Sequence, residues 1–267
     1  MLGRELRGSP LQDGSSALQK AQAHDWSADI SKIAVFTYDF PHKKTQDLLL
    51  RLIVEQIRPA IMIGAPRVER PTRILPPLRV KPRHIGILAP AIICKSFGVP
   101  YFVAPHNSEL TCRLLKNSGA RLGIIGGARI LTRQVINALE LGILNLHPGI
   151  LPEVRGLDAL QWAIYKGLPL GVTAHLINEH IDAGKMVSRE LVPEYRDDLL
   201  VDLSLRLEEA QIAIVSNAVR GVVRERRQTF PQLRSNGNVN RSMRPDLYGE
   251  LMARLEVRLG RRDVRIP

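Results

Sequence analysis

The sequence predicts an α/β fold built on a mostly parallel sheet that is flanked by helices. Short β-branched runs alternate with segments of helical periodicity, which is the pattern of βαβ units. Hydrophobic residues make up 45% of the 267 residues but aromatic residues only 4%, so the core must be aliphatic, as a buried parallel sheet requires. This length allows one large domain, or one domain with an appendage.

The first half of the chain begins with a β-branched and aromatic run that predicts a strand. Apolar residues at helical spacing follow it, and Gly98 and Gly119 come just after two later helical patterns, where glycine commonly ends a helix. Residues 66–82 hold five prolines and several arginines, which predicts a loop. The elements predicted are strand 33–40, helix 43–56, strand 60–64, helix 91–97, strand 101–104 and helix 108–117.

The second half continues the alternation and then becomes helical. Two strand-like segments stand close together in the sequence, which favours an antiparallel pair at one edge of the sheet. The whole pattern predicts a Rossmann-like sheet with an antiparallel edge and a helical C-terminal extension. The elements predicted are strand 121–126, helix 132–139, strand 142–146, helix 157–166, strands 171–177 and 185–191, and helices 197–225 and 246–259.

Composition divides the chain into three parts. Residues 1–30 are polar, contain Gly-Ser-Ser and lack the apolar centre of a signal peptide, so they are interpreted as a disordered leader. Residues 31–225 form the main domain, and residues 226–267 form a basic, partly helical extension. A second basic cluster consists of Arg67, Arg70, Arg73, Arg79, Lys81 and Arg83.

The net charge of +12 favours anionic partners. Nucleic acid is a weaker hypothesis, because no aromatic residues interleave with the basic ones to form a stacking surface. Cys94 and Cys112 make neither a disulfide framework nor a metal-ligand spacing, which indicates a reducing, cytoplasmic location. No apolar run is long enough to span a bilayer, so no membrane contact is predicted.

The polar residues with the clearest chemical pattern stand at the end of the predicted strand 142–146. Asn145 and His147 are two residues apart and share a face while the strand lasts, so both can donate to one carbonyl oxygen that becomes negative. Asp182 lies on a later loop, and its carboxylate would orient the ring of His147 and favour the protonated form. Each residue alone could equally be a turn residue with a local hydrogen bond.

The segment that carries these residues resembles the signature of the folate-dependent formyltransferases. That family includes the glycinamide ribonucleotide, methionyl-tRNA and sugar N-formyltransferases and formyltetrahydrofolate deformylase. Gly149 stands where the family usually has serine. The matching positions are Asn145, His147, Pro148, Leu151, Pro152, Arg155, Gly156, Gly171, Thr173, Asp182 and Gly184.

The resemblance implies an enzyme that takes a formyl group from 10-formyltetrahydrofolate, without a metal. It implies that Asn145 and His147 stabilise the oxyanion, while Asp182 orients His147 and helps to move a proton. Segment 126–131 resembles the family's pterin-pocket motif, so the carrier is expected between it and the loop 177–182. The residues implied there are Gly127, Ala128, Arg129, Ile130, Leu131, Ile177 and Ile181.

The amine acceptor is harder to predict. Arg155, His175 and His106 are candidate substrate-binding residues, and Arg155 has the planar donor fork that suits phosphate or carboxylate. Residues 37–45 contain no glycine, so the backbone phosphate cradle of the glycinamide enzymes is not expected. A small anionic amine, in particular a nucleotide-linked amino sugar, is the leading hypothesis. Glycinamide ribonucleotide or methionyl-tRNA as acceptor, hydrolysis of the carrier, a non-catalytic folate-binding protein and a homodimer stay open.

Overall fold

The computed structural model describes residues 30, 32–68, 86–225, 230–234 and 238–261. The predicted leader, apart from Ile30, and most of the 66–82 loop lie outside the described residues. The same is true of five members of the second basic cluster, Arg70, Arg73, Arg79, Lys81 and Arg83.

A seven-stranded sheet forms the centre of the described chain, in the order β3-β2-β1-β4-β5-β6-β7. The first five strands in this order are parallel, whereas β6 is antiparallel to both β5 and β7. The predicted fold class, a mostly parallel sheet with an antiparallel edge, is therefore confirmed. The strands are β1 Ile33–Tyr38, β2 Ile61–Ala65, β3 Tyr101–Val103, β4 Leu122–Ile125, β5 Gly142–His147, β6 Gly171–Leu176 and β7 Lys185–Leu191.

The helices follow the predicted periodic segments with shifts of a few residues at their ends. Gly98 and Gly119 end two of them in the left-handed conformation, with φ of 62° and 68°, as the sequence predicted. The Ser108 side chain accepts a hydrogen bond from the Thr111 amide at 3.2 Å and caps the start of α3. The helices are α1 Lys43–Val54, α2 Pro90–Phe97, α3 Glu109–Ser118, α4 Arg133–Asn137, α5 Ala159–Tyr165, α6 Leu200–Glu225 and α7 Tyr248–Arg258, with a 3-10 turn at Pro245–Leu247.

The core consists of two aliphatic layers, one on each face of the sheet. Alternate residues of β1 belong to different layers: Ile33 and Val35 to one, Ala34 and Phe36 to the other. The larger layer includes apolar side chains of α1, α2, α5, α6 and α7, and the smaller one those of α3 and α4. Because helices cover both faces of the sheet, the central strands are continuous apolar runs in the sequence.

The basic C-terminal part packs against the main domain through α7 and α5. Two arginines of α7 are paired within the chain: Arg254 donates to Glu250 and to the carbonyl of Tyr165, and Arg258 to Glu194 and to the carbonyl of Leu168. The boundary at residue 226 stays a prediction. Within the described ranges, none of the helices is both long enough and apolar enough to cross a bilayer.

Candidate active site

The site begins where β5 ends at the carboxyl edge of the parallel strands. Asn145 is half-buried and His147 is buried, and the antiparallel pairing with β6 places them opposite His175 and Thr173. Ligands of open α/β sheets bind at this edge. The strand therefore delivers both predicted residues to the place where the fold class puts a ligand site.

Asp182 reaches the same place from the loop between β6 and β7. Its Oδ2 lies 3.5 Å from Nδ1 of His147 and accepts a hydrogen bond from the Gly156 amide at 2.8 Å. Its backbone is left-handed, with φ of 47°, a conformation that is uncommon outside glycine and often found at functional sites. Burial acts to raise the pKa of Asp182, but the hydrogen bond with His175 and the charges around it lower that pKa to about 2. The carboxylate is thus ionised at neutral pH.

His147 is fixed on both sides of its ring. Its Nε2 lies 2.6 Å from the carbonyl oxygen of Val154, to which it donates, and only 4% of the residue is exposed. Burial lowers the pKa of His147, although the charge of Asp182 acts in the opposite direction. The charge of Asp182 thus favours the protonated form of His147, but the loss of solvent acts more strongly in the opposite direction.

His175 connects Asn145 to Asp182. Its Nε2 lies 3.2 Å from the amide nitrogen of Asn145 and 3.5 Å from Oδ1 of Asp182, and the residue is fully buried. A side chain without exposed surface cannot meet a substrate directly in this conformation. Substrate binding by His175 stays a prediction, and this geometry does not favour it. The contacts of His175 are instead those of a residue that positions Asn145 and Asp182.

Arg155 and His106 are also buried, with 4% and 6% of their surfaces exposed. The guanidinium of Arg155 donates through two nitrogens to the carbonyl of Ile181, at 2.9 and 2.6 Å. Nε2 of His106 lies 3.1 Å from the carbonyl oxygen of Ile63, and its ring packs edge-on against Phe36. Substrate binding by either residue stays a prediction, and both have structural contacts that the sequence did not indicate.

The predicted carrier walls lie close to each other. Ala128, Leu131 and Ile177 pack into the same apolar layer, and Arg133 at the start of α4 lies 3.9 Å from Glu179 on the opposite loop. Ile130 and Ile181 point outward, with 74% and 44% of their surfaces exposed.

The first wall is held from two directions. Asn107 donates to the carbonyl of Ile130 and accepts from the Thr132 amide, both at 2.9 Å. Gly127 lies so close to the ring of Tyr38 that an added Cβ would stand 2.9 Å from it. Arg129 is exposed beside this wall. Whether these residues bind the carrier stays a prediction.

Two polar residues near the site were missed as site residues. Lys44 and Gln211 both donate to the carbonyl of Leu146, between Asn145 and His147, at 3.1 and 2.7 Å. Burial lowers the pKa of Lys44 to about 8. The sequence did contain an indication for Gln211. It falls on the apolar stripe of α6 with Leu203 and Leu207, where a polar side chain needs a buried hydrogen-bond partner.

A metal centre is not apparent in the described part of the chain, where no three His, Cys, Asp or Glu side chains are grouped to hold an ion.

Comparison with known proteins finds a family match over the central part of the chain. Residues 107–219 match the family described as formyl transferase, and this match contains Asn145, His147 and Asp182. The match covers less than half of this chain. The trifunctional purine biosynthetic protein adenosine-3 of Chironomus tentans is 31% identical over 119 residues, which are 44% of this chain and 8% of that protein. A methionyl-tRNA formyltransferase of Chlorobium limicola is 34% identical over 121 residues, 44% of this chain and 38% of that protein.

Solved structures extend the likeness of the fold beyond the formyl transferase segment. A phosphoribosylglycinamide formyltransferase of Anaplasma phagocytophilum matches with a TM-score of 0.58 and 19% identity over 78% of this chain and 95% of that one. A sugar N-formyltransferase of a Shewanella species matches with a TM-score of 0.52 and 18% identity, over 78% and 75%. The chain spans less than half the length of the curated relatives named above. The two solved structures are named for different acceptors, phosphoribosylglycinamide and a sugar. The shared fold therefore leaves the acceptor of this chain undecided.

Proposed function

We propose that this chain transfers a formyl group from 10-formyltetrahydrofolate to an amine. The observation that carries the proposal is the contact network of four polar side chains around the end of β5. Asp182 lies 3.5 Å from both His147 and His175, and His175 lies 3.2 Å from Asn145. Within a formyl transferase segment, this network supplies an amide donor, an imidazole and a fixed negative charge.

The carrier fits between segment 127–131 and loop 177–182. Both walls offer free aliphatic surface, from Ile130 and Ile181, beside backbone groups that can read a flat heterocycle. Ala128 and Ile177 would line the inner part, and Arg129 is an exposed cation for an anionic tail. The carrier supplies the activated formyl group when it is bound.

The residues of the network have different tasks in the proposed reaction. A bond forms from the acceptor nitrogen to the formyl carbon, the bond to the carrier nitrogen breaks, and the proton of the first nitrogen passes to the second. Asn145 donates to the formyl oxygen as it becomes negative. His147 can join it when Nε2–H leaves the carbonyl of Val154. Asp182, ionised and too weak a base to keep a proton, stabilises positive charge on His147 and orders water that relays the proton.

A cavity of about 500 Å³ beside the carrier segment supports an anionic acceptor that contains a planar ring. Tyr38 and Phe40 stack in its wall, with ring centroids 5.0 Å apart, and Arg67 and Arg129 line it as exposed cations. Tyr38 donates to the carbonyl of Ala128 at 3.0 Å, which links this wall to the carrier segment. Aromatic rings stack on bases, and arginine forks bind phosphates, so a nucleotide-linked amino sugar is the acceptor that we propose.

Other activities remain as outcomes of the test. Glycinamide ribonucleotide and methionyl-tRNA are alternative acceptors, hydrolysis would release formate without any amine, and a binding protein would hold the folate without turnover. Cys94 and Cys112 are free thiols, which accords with the cytoplasmic location that we propose. We also propose that the protein forms a homodimer.

An acceptor screen with 10-formyltetrahydrofolate tests the reaction. Release of tetrahydrofolate that requires an amine, and that Asp182→Asn abolishes, is expected. Release of formate with no amine present would identify a hydrolase instead. Tight binding of the folate with no release of tetrahydrofolate or formate under any condition would indicate a non-catalytic folate-binding protein.

Two arginine variants test the acceptor. Arg67→Ala is expected to raise the KM for a nucleotide-linked amino sugar by about tenfold or more, the scale of a charge-assisted hydrogen bond, with the KM for the carrier unchanged. Arg113→Ala, on the exposed side of α3, is the matched control. Equal KM values for Arg67→Ala and Arg113→Ala would contradict the cavity as the acceptor site.

A further inference from the structure

The C-terminal part of the chain contacts the loop that carries Asp182. The Leu233 amide donates to the carbonyl of Gly184 at 2.9 Å, and the Met186 amide donates to the carbonyl of Pro231 at 2.9 Å. Between these bonds, the side-chain amide of Gln232 donates to the carbonyl of Ala183, the residue after Asp182. Residues 231–233 thus run antiparallel to the start of β7 and hold the end of the loop.

A second contact lies on the other side of the same carboxylate. Asn240 pairs in parallel with Gly156: its amide donates to the carbonyl of Arg155, and its carbonyl accepts from the Leu157 amide, both at 2.9 Å. Gly156 has φ of 94°, and a Cβ at this position would collide with the Asn240 carbonyl oxygen. Lys166 donates to the side-chain oxygen of Asn240 at 2.6 Å. The backbone around Gly156 is therefore fixed by a residue far along the chain.

These two contacts converge on Asp182. The Gly156 amide, whose position Asn240 fixes, is the group that donates to Oδ2 of Asp182. Arg155, the neighbour of Gly156, donates to the carbonyl of Ile181 just before the carboxylate. The loop is consequently held at residue 181, at the side chain of residue 182 and at residues 183–184.

We propose that residues 230–234 and 238–243 are a positioning element for Asp182, and hence a working part of the active site rather than an independent appendage. The proposal rests on the proposed function for its kinetic meaning. Its physical basis is that a left-handed, non-glycine backbone is costly and persists only where the surroundings over-determine it. A loop of this kind would relax without its C-terminal contacts, and the carboxylate would move away from the imidazole.

Relaxation of the loop has a chemical signature. The groups that face the Asp182 carboxylate are His147 from β5, His175 from β6 and the Gly156 amide from the segment before α5. All three lower its pKa, so withdrawal from them raises that pKa. A merely less stable protein would lose active molecules at every pH and would keep the shape of its pH–rate profile.

The variant Gln232→Met tests the proposal, because it removes the amide donor, keeps the length of the side chain and adds no charge. Gln232 is exposed, so the fold should survive, and Gln56→Met, at an exposed position two residues after α1, is the matched control. Hydrogen exchange of the peptide that covers residues 178–184 is expected to become about three- to tenfold faster in Gln232→Met only. The acid limb of its kcat profile is expected to move to higher pH.

Two results would overturn the proposal: unchanged exchange in the loop, or faster exchange with a profile that is scaled down but not displaced. The exchange measurement needs no substrate. An inactive wild-type protein would therefore refute the proposed function, while the exchange result would still decide whether Gln232 holds the loop.

Discussion

At the scale of single residues, Asp182 shows how much the surroundings decide. A carboxylate on a loop would ordinarily be solvated, but this one is enclosed by His147, His175 and the Gly156 amide. Its negative charge is stabilised there by a hydrogen bond with His175 and by the donating Gly156 amide, both of which lower its pKa. The same enclosure keeps His147 neutral in the free protein, so protonation of the imidazole is expected during turnover rather than before it.

We expect Asn145→Ala, His147→Ala and Asp182→Asn each to lower turnover by at least about 100-fold, the usual effect of losing an oxyanion donor or a proton-transfer partner. Single-turnover release of tetrahydrofolate measures the effect. Asp246→Asn, which alters an exposed pair with Arg244, is the control and should behave as wild type. Near-normal turnover in one of the three variants would remove that residue from the mechanism.

Gly149 offers a second prediction at this scale. A Cβ there would stand 2.9 Å from Nε2 of His147 and 3.2 Å from the side chain of Ala159. Gly149→Ser, which restores the residue usual in the resembling family, should therefore displace the imidazole and lower turnover by about tenfold or more. Gly221→Ser is the matched control, because a Cβ at Gly221 meets open space. Equal kcat values for the two variants would contradict this reading of the site.

At the scale of elements, β6 anchors the turn that follows β5. The hydroxyl of Thr173 accepts from the Leu151 amide at 3.1 Å and donates to the carbonyl of Gly149 at 2.8 Å, and the residue is fully buried. A strand side chain thus replaces the backbone partners that this turn would otherwise lack.

Thr173→Val keeps the shape of the side chain but leaves two buried backbone groups without their partner. We expect it to lower the free energy of unfolding by about 1–3 kcal/mol. Urea denaturation measures this, and Thr173→Ser, which keeps the hydroxyl, should lose less. If the valine and serine variants unfold at the same urea concentration, the hydroxyl does not hold the turn.

At the scale of the whole molecule, burial of histidines links stability to pH. Burial lowers the pKa of both His106 and His147 below their ordinary value of 6.5. The unfolded chain therefore binds protons that the folded protein excludes, so this contribution is present above about pH 6.5 and is lost as the pH falls. Asp182 contributes in a lower range, between its ordinary 3.8 and about 2.

We expect the melting temperature to fall between about pH 7.5 and about pH 5.5, and to fall less in His106→Gln than in wild type. Differential scanning calorimetry at the two pH values measures it. His180→Gln, at an exposed position, should keep the full pH sensitivity. A loss of pH sensitivity in that control, or none in His106→Gln, would assign the effect to other groups.

The sequence by itself determined the features that depend on neighbouring residues. Alternating β-branched and helical segments predicted the sheet, and Gly98 and Gly119 marked the ends of helices. The segment that holds Asn145 and Asp182 resembled a family signature, and the family match over residues 107–219 includes it. Only the tertiary structure decided how deeply each candidate residue is buried. His106, Arg155 and His175 were candidate substrate-binding residues, and all three are buried. The residues that bury a side chain or hydrogen-bond to it come from segments far apart in the chain, as Asn240 does for Gly156. A local sequence pattern does not predict contacts of this kind.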